Sequence, residues 1–313
     1  MKGIKLTLLC CLLVYCMGCS EFFEPSLKDT RITLLAPADS LETSEYRQSF
    51  WWTGNADAIF YRLQVVKPSF DKAATLILDT VITQDKFIYT LEPGKYQWRV
   101  RAENGSSQSE YSVKSFEVFP SSLSAQTLQV LNPLNTLMTT NESVKYDWLR
   151  LFGSKHYRLQ VDTASFLDTT KLVLDVLSEN LSFTQTLKKE GRYEFRVRAE
   201  NDAQRSRWSE VRYFVFDKTP PEQVILRYPA NRQGLAKNIR LQWQDNADAE
   251  KYELAVYKSD SVTLFQSFPQ ITGSNAASFN QGDAGEQIIW RVRALDRAGN
   301  KGAFSSFFSF TIQ

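Results

Sequence analysis

Tyr96, Trp98, Val100 and Ala102 alternate with Gln97, Arg99, Arg101 and Glu103. Apolar side chains fall on one face and polar ones on the other, with period two, which predicts a half-buried antiparallel strand. The same alternation returns at Tyr193, Phe195, Val197 and Ala199, and again at Ile288, Trp290, Val292 and Ala294. Within it, Arg-Val-Arg-Ala-Glu-Asn at 99–104 is repeated at 196–201 and becomes Arg-Val-Arg-Ala-Leu-Asp at 291–296, at spacings of 97 and 95 residues. A strand written three times at a near-constant interval predicts an array of one module. Each copy feeds a large aromatic into a core. Burying a Trp removes about 150–250 Å² from water, worth about 4–6 kcal/mol as an upper bound.

Shorter apolar runs surround this strand. In the first copy they are Ile32–Leu35, Ser49–Thr53, an alternating Tyr61, Leu63 and Val65, Leu76–Leu78, Lys86–Tyr89 and Phe116–Val118. Seven short strands separated by turn residues predict a β-sandwich. Other anchors keep register. Trp52 and Tyr61, Trp148 and Tyr157, and Trp243 and Tyr252 are each nine residues apart. Pro37 and Pro133 precede their Trp by 15 residues, and Pro229 precedes Trp243 by 14. The expected domains are 31–119, 127–217 and 222–313. The linkers, 120–125 and 218–222, contain Pro and are expected to be extended spacers.

Composition narrows the chemistry. All four Cys (10, 11, 16 and 19) lie in the first nineteen residues of 313, so no disulfide framework reaches the sandwiches. The single His, His156, leaves little for His-based zinc or Ser-His-Asp chemistry. Lys2 and Lys5 precede an apolar run of twelve, Leu6 to Met17, too short to span a bilayer but suited to a signal peptide. Without residues 1–18 the 37 Lys and Arg become 35, against 35 Asp and Glu. A formally neutral chain argues against nucleic acid as a partner.

The run Cys16-Met17-Gly18-Cys19-Ser20 resembles the lipobox of bacterial lipoproteins, with Cys16 where Leu is commonest. The resemblance implies cleavage after residue 18, acylation of Cys19 and a tether over 19–30. Ser20 in place of Asp favours the outer membrane. The core Trp residues, the Tyr-x-Leu-x-Val strands (Tyr61, Leu63, Val65 and their equivalents) and Leu91-Glu-Pro93-Gly94-Lys-Tyr96-Gln-Trp98 resemble fibronectin type III domains. The last matches the tyrosine-corner signature with one residue fewer between Gly and Tyr, while Ile288 replaces the corner Tyr in the third copy. Together these features are similar to Bacteroidetes outer-membrane lipoproteins with tandem fibronectin-like domains, some of which serve glycan uptake.

The fold expected is therefore all-β: three tandem immunoglobulin-like or fibronectin type III-like sandwiches after a lipoprotein signal peptide. The expected role is a lipid-anchored envelope binding or scaffold protein without catalysis or cofactor, facing a protein or glycan. The alternatives are a surface glycan-binding lipoprotein and an accessory subunit of an outer-membrane complex. Candidate ligand-facing residues are Trp51 and Phe60, with Phe50 beside them as an aromatic platform, and Arg99 and Arg101 of an outward Arg stripe. That stripe is also expected to pair with Glu103, Glu194, Glu200 and Glu253. Trp208 aligns with Tyr111 and Phe304, each followed by Ser, and reads as framework. Asp245-Asn246-Ala-Asp248-Ala-Glu250 has the oxygen density of a calcium loop but not the EF-hand spacing, and no metal is expected.

Overall fold

A computed structural model describes residues 24–72 and 75–313. The expected signal peptide over 1–18, Cys19 and the first residues of the expected tether lie outside the described residues. The architecture is all-β, in three sandwiches. The first is built from β1 (Leu34–Ala36), β2 (Leu41–Thr43), β3 (Arg47–Trp52), β4 (Phe60–Lys67), β5 (Thr75–Ile82), β6 (Lys86–Thr90), β7 (Gly94–Glu103) and β8 (Ser112–Val118). Its sheets have the orders β1-β3-β6 and β2-β8-β7-β4-β5.

The second repeats this plan with β9 (Val130–Asn132), β10 (Leu137–Thr139), β11 (Ser143–Trp148), β12 (His156–Asp162), β13 (Leu174–Ser178), β14 (Ser182–Thr186), β15 (Gly191–Glu200) and β16 (Arg212–Phe216). The third has β17 (Leu226–Tyr228), β18 (Gln233–Leu235), β19 (Ile239–Trp243), β20 (Lys251–Tyr257), β21 (Gln270–Thr272), β22 (Ala276–Phe279), β23 (Gln287–Leu295) and β24 (Phe308–Ile312). Each again pairs a three-stranded with a five-stranded sheet. Contacts group the chain into two units. One comprises the described residues up to Thr43, Gln48–Tyr89 and Gly94–Phe119; the other comprises Ser44–Arg47, Thr90–Pro93 and Pro120–Gln313.

Each sandwich has eight strands where seven were expected. The extra ones, β2, β10 and β18, are three residues long, too short for alternation to reveal. Each follows a cis X–Pro bond at Pro37, Pro133 or Pro229. There the chain leaves the three-stranded sheet and joins the other sheet, parallel to its last strand, with Leu41 beside Phe116, Leu137 beside Phe214 and Gln233 beside Phe310.

The nine-residue Trp–Tyr spacing has a physical cause. Trp52, Trp148 and Trp243 end the inward face of β3, β11 and β19 and are buried. Their rings lie 5.6, 5.7 and 5.5 Å from Tyr61, Tyr157 and Tyr252 at the start of the facing sheet's β4, β12 and β20. Each Tyr hydroxyl then holds the intervening turn. It accepts from Asn55 N at 2.7 Å in the first copy and Asn246 N at 2.8 Å in the third, and it bonds the Ser154 hydroxyl at 2.8 Å in the second. The indole N–H groups of all three Trp have no protein partner, so area and ring contact hold them. The tyrosine corner is present in the second copy, where Tyr193 donates to Lys189 O at 2.6 Å. Ile288 takes that place in the third, buried and without a hydroxyl.

Three connecting segments are more ordered than their sequence suggested. Residues 24–30, read as tether, pack on the first sandwich: Leu27 is wholly buried, its N–H donates to Ser107 Oγ at 2.9 Å, and Asn104 Nδ2 donates to Pro25 O at 2.8 Å. The linker after Pro120 contains a 3-10 turn at Leu123–Ala125. Leu123 and Gln126 are buried there, and Leu123 N donates to Gln204 Oε1 at 2.8 Å. In the double-proline linker, Lys218 N and the Thr219 hydroxyl donate to Glu190 at 2.9 and 2.8 Å. Asn300 Nδ2 reaches back to Asp217 O at 3.0 Å, and Pro221 is buried. Leu27, Leu123 and Pro221 are the buried apolar anchors of the three segments, a role that composition does not reveal.

Gly302 makes the closest of these approaches: a Cβ there would stand 2.6 Å from Pro221 O. Gly302→Ala should therefore lower unfolding stability by about 1–3 kcal/mol in urea titration, through displaced backbone. Gly273, where a Cβ meets nothing within 4 Å, is the control. Its Ala variant should stay within about 0.5 kcal/mol.

Candidate functional site: two exposed aromatics beside an arginine ladder

The outward faces of β7, β15 and β23 carry the Arg stripe, and neighbouring aromatics interleave with it. In the first sandwich the Arg99 guanidinium carbon lies 4.0 Å from the Phe70 ring centre and 4.1 Å from that of Tyr111, with Arg101 4.8 Å from Tyr111. In the second, Arg196 lies between Phe166 at 4.2 Å and Trp208 at 4.4 Å, and Arg198 is 4.4 Å from Trp208. In the third, Arg291 is 4.1 Å from Phe304 and 4.7 Å from Phe307, and Arg293 is 4.4 Å from Phe304. A guanidinium so placed gains from the negative face of the ring.

Carboxylates complete the ladder. Glu103 accepts from Arg101 at 2.8 Å and Arg62 at 3.2 Å. Glu200 accepts from Arg198 at 2.8 Å and Arg158 at 3.0 Å, and Glu253 from Arg293 at 2.7 Å. Asp79 and Asp175 take the other arms of Arg62 and Arg158, at 3.0 and 2.8 Å. The serines near each ladder aromatic serve the backbone. Ser109 and Ser206 hydroxyls accept from Ala102 N and Ala199 N, while Ser209 and Ser305 accept from Val197 N and Val292 N. They satisfy strand amides where no neighbouring strand reaches.

The charges respond to this packing. Burial, then the like charge of Arg198, pushes the Arg196 guanidinium below its ordinary value. Burial pushes the Tyr111 phenol up, against the opposing pull of Arg101 and Arg99. Burial also raises the Glu200 carboxyl, but hydrogen bonds from Arg198 and Arg158 outweigh it and hold the group below the ordinary Glu range.

The candidate residues fall into two groups. Arg99 and Arg101 belong to the ladder, stacked and paired within their own sandwich. Trp51 and Phe60 are open to solvent, 46% and 41% exposed. They do not share a platform: Trp51 faces outward from β3 of the three-stranded sheet, with Leu35 of β1 nearby and exposed, whereas Phe60 begins β4 of the five-stranded sheet. Phe50 is a correction. It is wholly buried, its ring 5.2 Å from that of Trp98, because alternation puts it on the same side of β3 as Trp52.

Trp208 is in the framework position its alignment with Tyr111 and Phe304 indicated. The sequence reading missed the opposite rings, Phe70 and Phe166. Phe166 has a φ of +56°, and its N–H donates to the buried Asp162 carboxylate at 2.7 Å. Both rings lie in loops, where no periodicity marks them. The acidic turn is spent on itself. Asp245 Oδ1 accepts from the Tyr252 hydroxyl at 2.7 Å and Asn246 Oδ1 from Asp248 N at 3.0 Å. Among the described residues, no three His, Cys, Asp or Glu side chains group as metal ligands.

The sequence matches no protein-family profile. No curated protein matches it either. Among solved structures, the chain is similar to the FN1–FN3 domains of chicken CNTN1, at 13% identity and a TM-score of 0.44, over 90% of this chain and 98% of that one. It is also similar to fibronectin(III)-like modules of Clostridium thermocellum CbhA, at 10% identity and a TM-score of 0.39, over 59% of this chain and 94% of that one. At such values no statement about ligands or partners passes to this chain.

The lowered carboxyl of Glu200 sets a pH dependence. Its contribution is fully present above the unfolded Glu pKa of about 4.3 and drains away as pH falls through the lower folded value. The second sandwich should lose stability on acidification below about pH 4, and Glu200→Gln should flatten that part of the curve while lowering the plateau at neutral pH. Urea midpoints from pH 3 to 7 read both effects.

Proposed function

We propose that this protein is a lipid-anchored, non-enzymatic component of a bacterial cell envelope. It presents three β-sandwiches to a protein or glycan partner, with Cys19 as the acylated first residue of the mature chain. The observation that carries this reading is the lipobox-like run at 16–19 ahead of a chain whose described part is sandwich throughout. The repeated ladder supports it, since each copy spends its sheet-face charges on its own rings and carboxylates. The module then contributes a stiff surface and reach. The outer membrane is the expected location, on either leaflet.

Exposed Trp51 favours a second reading, capture of a polysaccharide. Its equivalents are Asp147 and Gln242, so the sandwich does not need an aromatic there. A flat, half-exposed indole beside Leu35 is suited to stacking on a sugar ring. A third reading, an accessory subunit of an outer-membrane complex, requires stoichiometric capture of a membrane partner and no sugar affinity.

In a bacterial host the full chain should incorporate labelled palmitate and partition into detergent, and Cys19→Ser should abolish both. Labelling that persists in the variant would remove Cys19 from the proposal. For the glycan reading, Trp51→Ala should weaken polysaccharide retardation in affinity electrophoresis roughly tenfold, about 1.4 kcal/mol. Unchanged retardation would eliminate Trp51 as the platform.

A further inference from the structure

We infer that the end of the first sandwich bearing Ile59 and Phe60 rests against the lipid surface that holds the chain. This inference rests on the acylation of Cys19 proposed above. The constraint is one of length. Five residue steps separate Cys19 from Glu24, and at about 3.3–3.6 Å each they reach about 18 Å at most. From residue 24 onward the chain is fixed to the sandwich. Leu27 is buried, with its N–H on Ser107 Oγ at 2.9 Å, and the Glu24 carboxylate lies over Gly105, where a Cβ would stand 2.9 Å from Oε2.

The fixing point and the exposed apolar pair surround the same short turn. Asn104 Nδ2 donates to Pro25 O at 2.8 Å and to Asp57 O at 3.2 Å. Glu103, its neighbour, accepts from Ile59 N at 2.9 Å and is the strand partner of Phe60. Ile59 is 45% exposed and Phe60 41%. Two large apolar side chains therefore stand beside the point where the tether meets the fold. A bilayer's polar layer is about 5–7 Å thick on each side, so a tether of at most about 18 Å leaves this end little room to stay clear.

Charge does not supply the attraction. The described segment that leads into the first sandwich carries Lys28 and Arg31 against Glu24 and Asp29, with no basic surplus. The contact is driven by apolar burial and by the high effective concentration that a short tether imposes. It should therefore change little with the proportion of anionic lipid.

The test uses the full chain, matured and acylated, in phosphatidylcholine vesicles. Cys10, Cys11 and Cys16 leave with the signal peptide and Cys19 is acylated, so one introduced Cys is the single reactive thiol. Spin labels are placed by Phe60→Cys and Ile59→Cys. The control, Leu76→Cys, lies on the same sheet and is 57% exposed. Its strand partner is Val66, six residues along β4 from Phe60, or about 20 Å away. Accessibility to a water-soluble relaxing agent is compared with the same label on residues 20–313 in buffer, which carry neither the acyl chains nor any other Cys.

The expected result is a roughly threefold or larger loss of accessibility at 59 and 60 with none at 76. If the chain floats with vesicles but 59 and 60 stay as accessible as 76, the inference is overturned and the anchor stands. If the chain does not float, both are overturned. Ile59→Cys gives the reading independently should Phe60→Cys fail to fold.

Discussion

An indole buried between two sheets, with a tyrosine ring of the opposite sheet against it, sets the geometry of every sandwich. The Trp closes the inward face of one sheet and the Tyr opens the other. The Tyr hydroxyl then holds the turn joining them, so one ring pair fixes both the sheet spacing and the chain reversal. Because the hydroxyl's partners lie in that turn, lengthening or shortening it by one residue would move the Tyr to the wrong face of its strand. This is why the nine-residue interval is kept even where turn sequences differ as much as Gly54–Ile59 and Leu149–His156.

Most of the fold was legible because it is written in period two and in triplicate. Alternation around Trp98, Phe195 and Trp290 identified the long strands, and the anchors counted the copies. What escaped was aperiodic. The crossover strands at Leu41, Leu137 and Gln233 are three residues long and are defined by partners some eighty residues away. Leu27 and Leu123 look like isolated apolar residues in polar linkers, and nothing local shows that each has a site waiting for it. Phe50 lies inside because the alternation that turns Trp51 outward turns its neighbour inward.

The ladder was legible in one half only. The Arg pairs and the aromatic-Ser positions recur at fixed offsets and could be aligned. Their outer partners, Phe70 and Phe166, come from loops without repeats. The completed arrangement changes what the stripe means. A row of six arginines in sequence suggests an acid-binding surface. In three dimensions their planar faces are covered by rings and several of their donors are taken by Glu103, Glu200 and Glu253. Such a face is mixed in character, with much of its charge met inside its own sandwich.

Gly302 sets the third copy apart from the other two. The first two copies have a serine at this point, Ser109 and Ser206, whose hydroxyl serves the adjacent strand. The third has no hydroxyl there, and the Pro221 carbonyl passes through the space a side chain would fill. The copies are therefore not interchangeable beads. The third takes the backbone of its own leading segment into the place where the other two keep a serine, so that segment could not be grafted onto either of them unchanged.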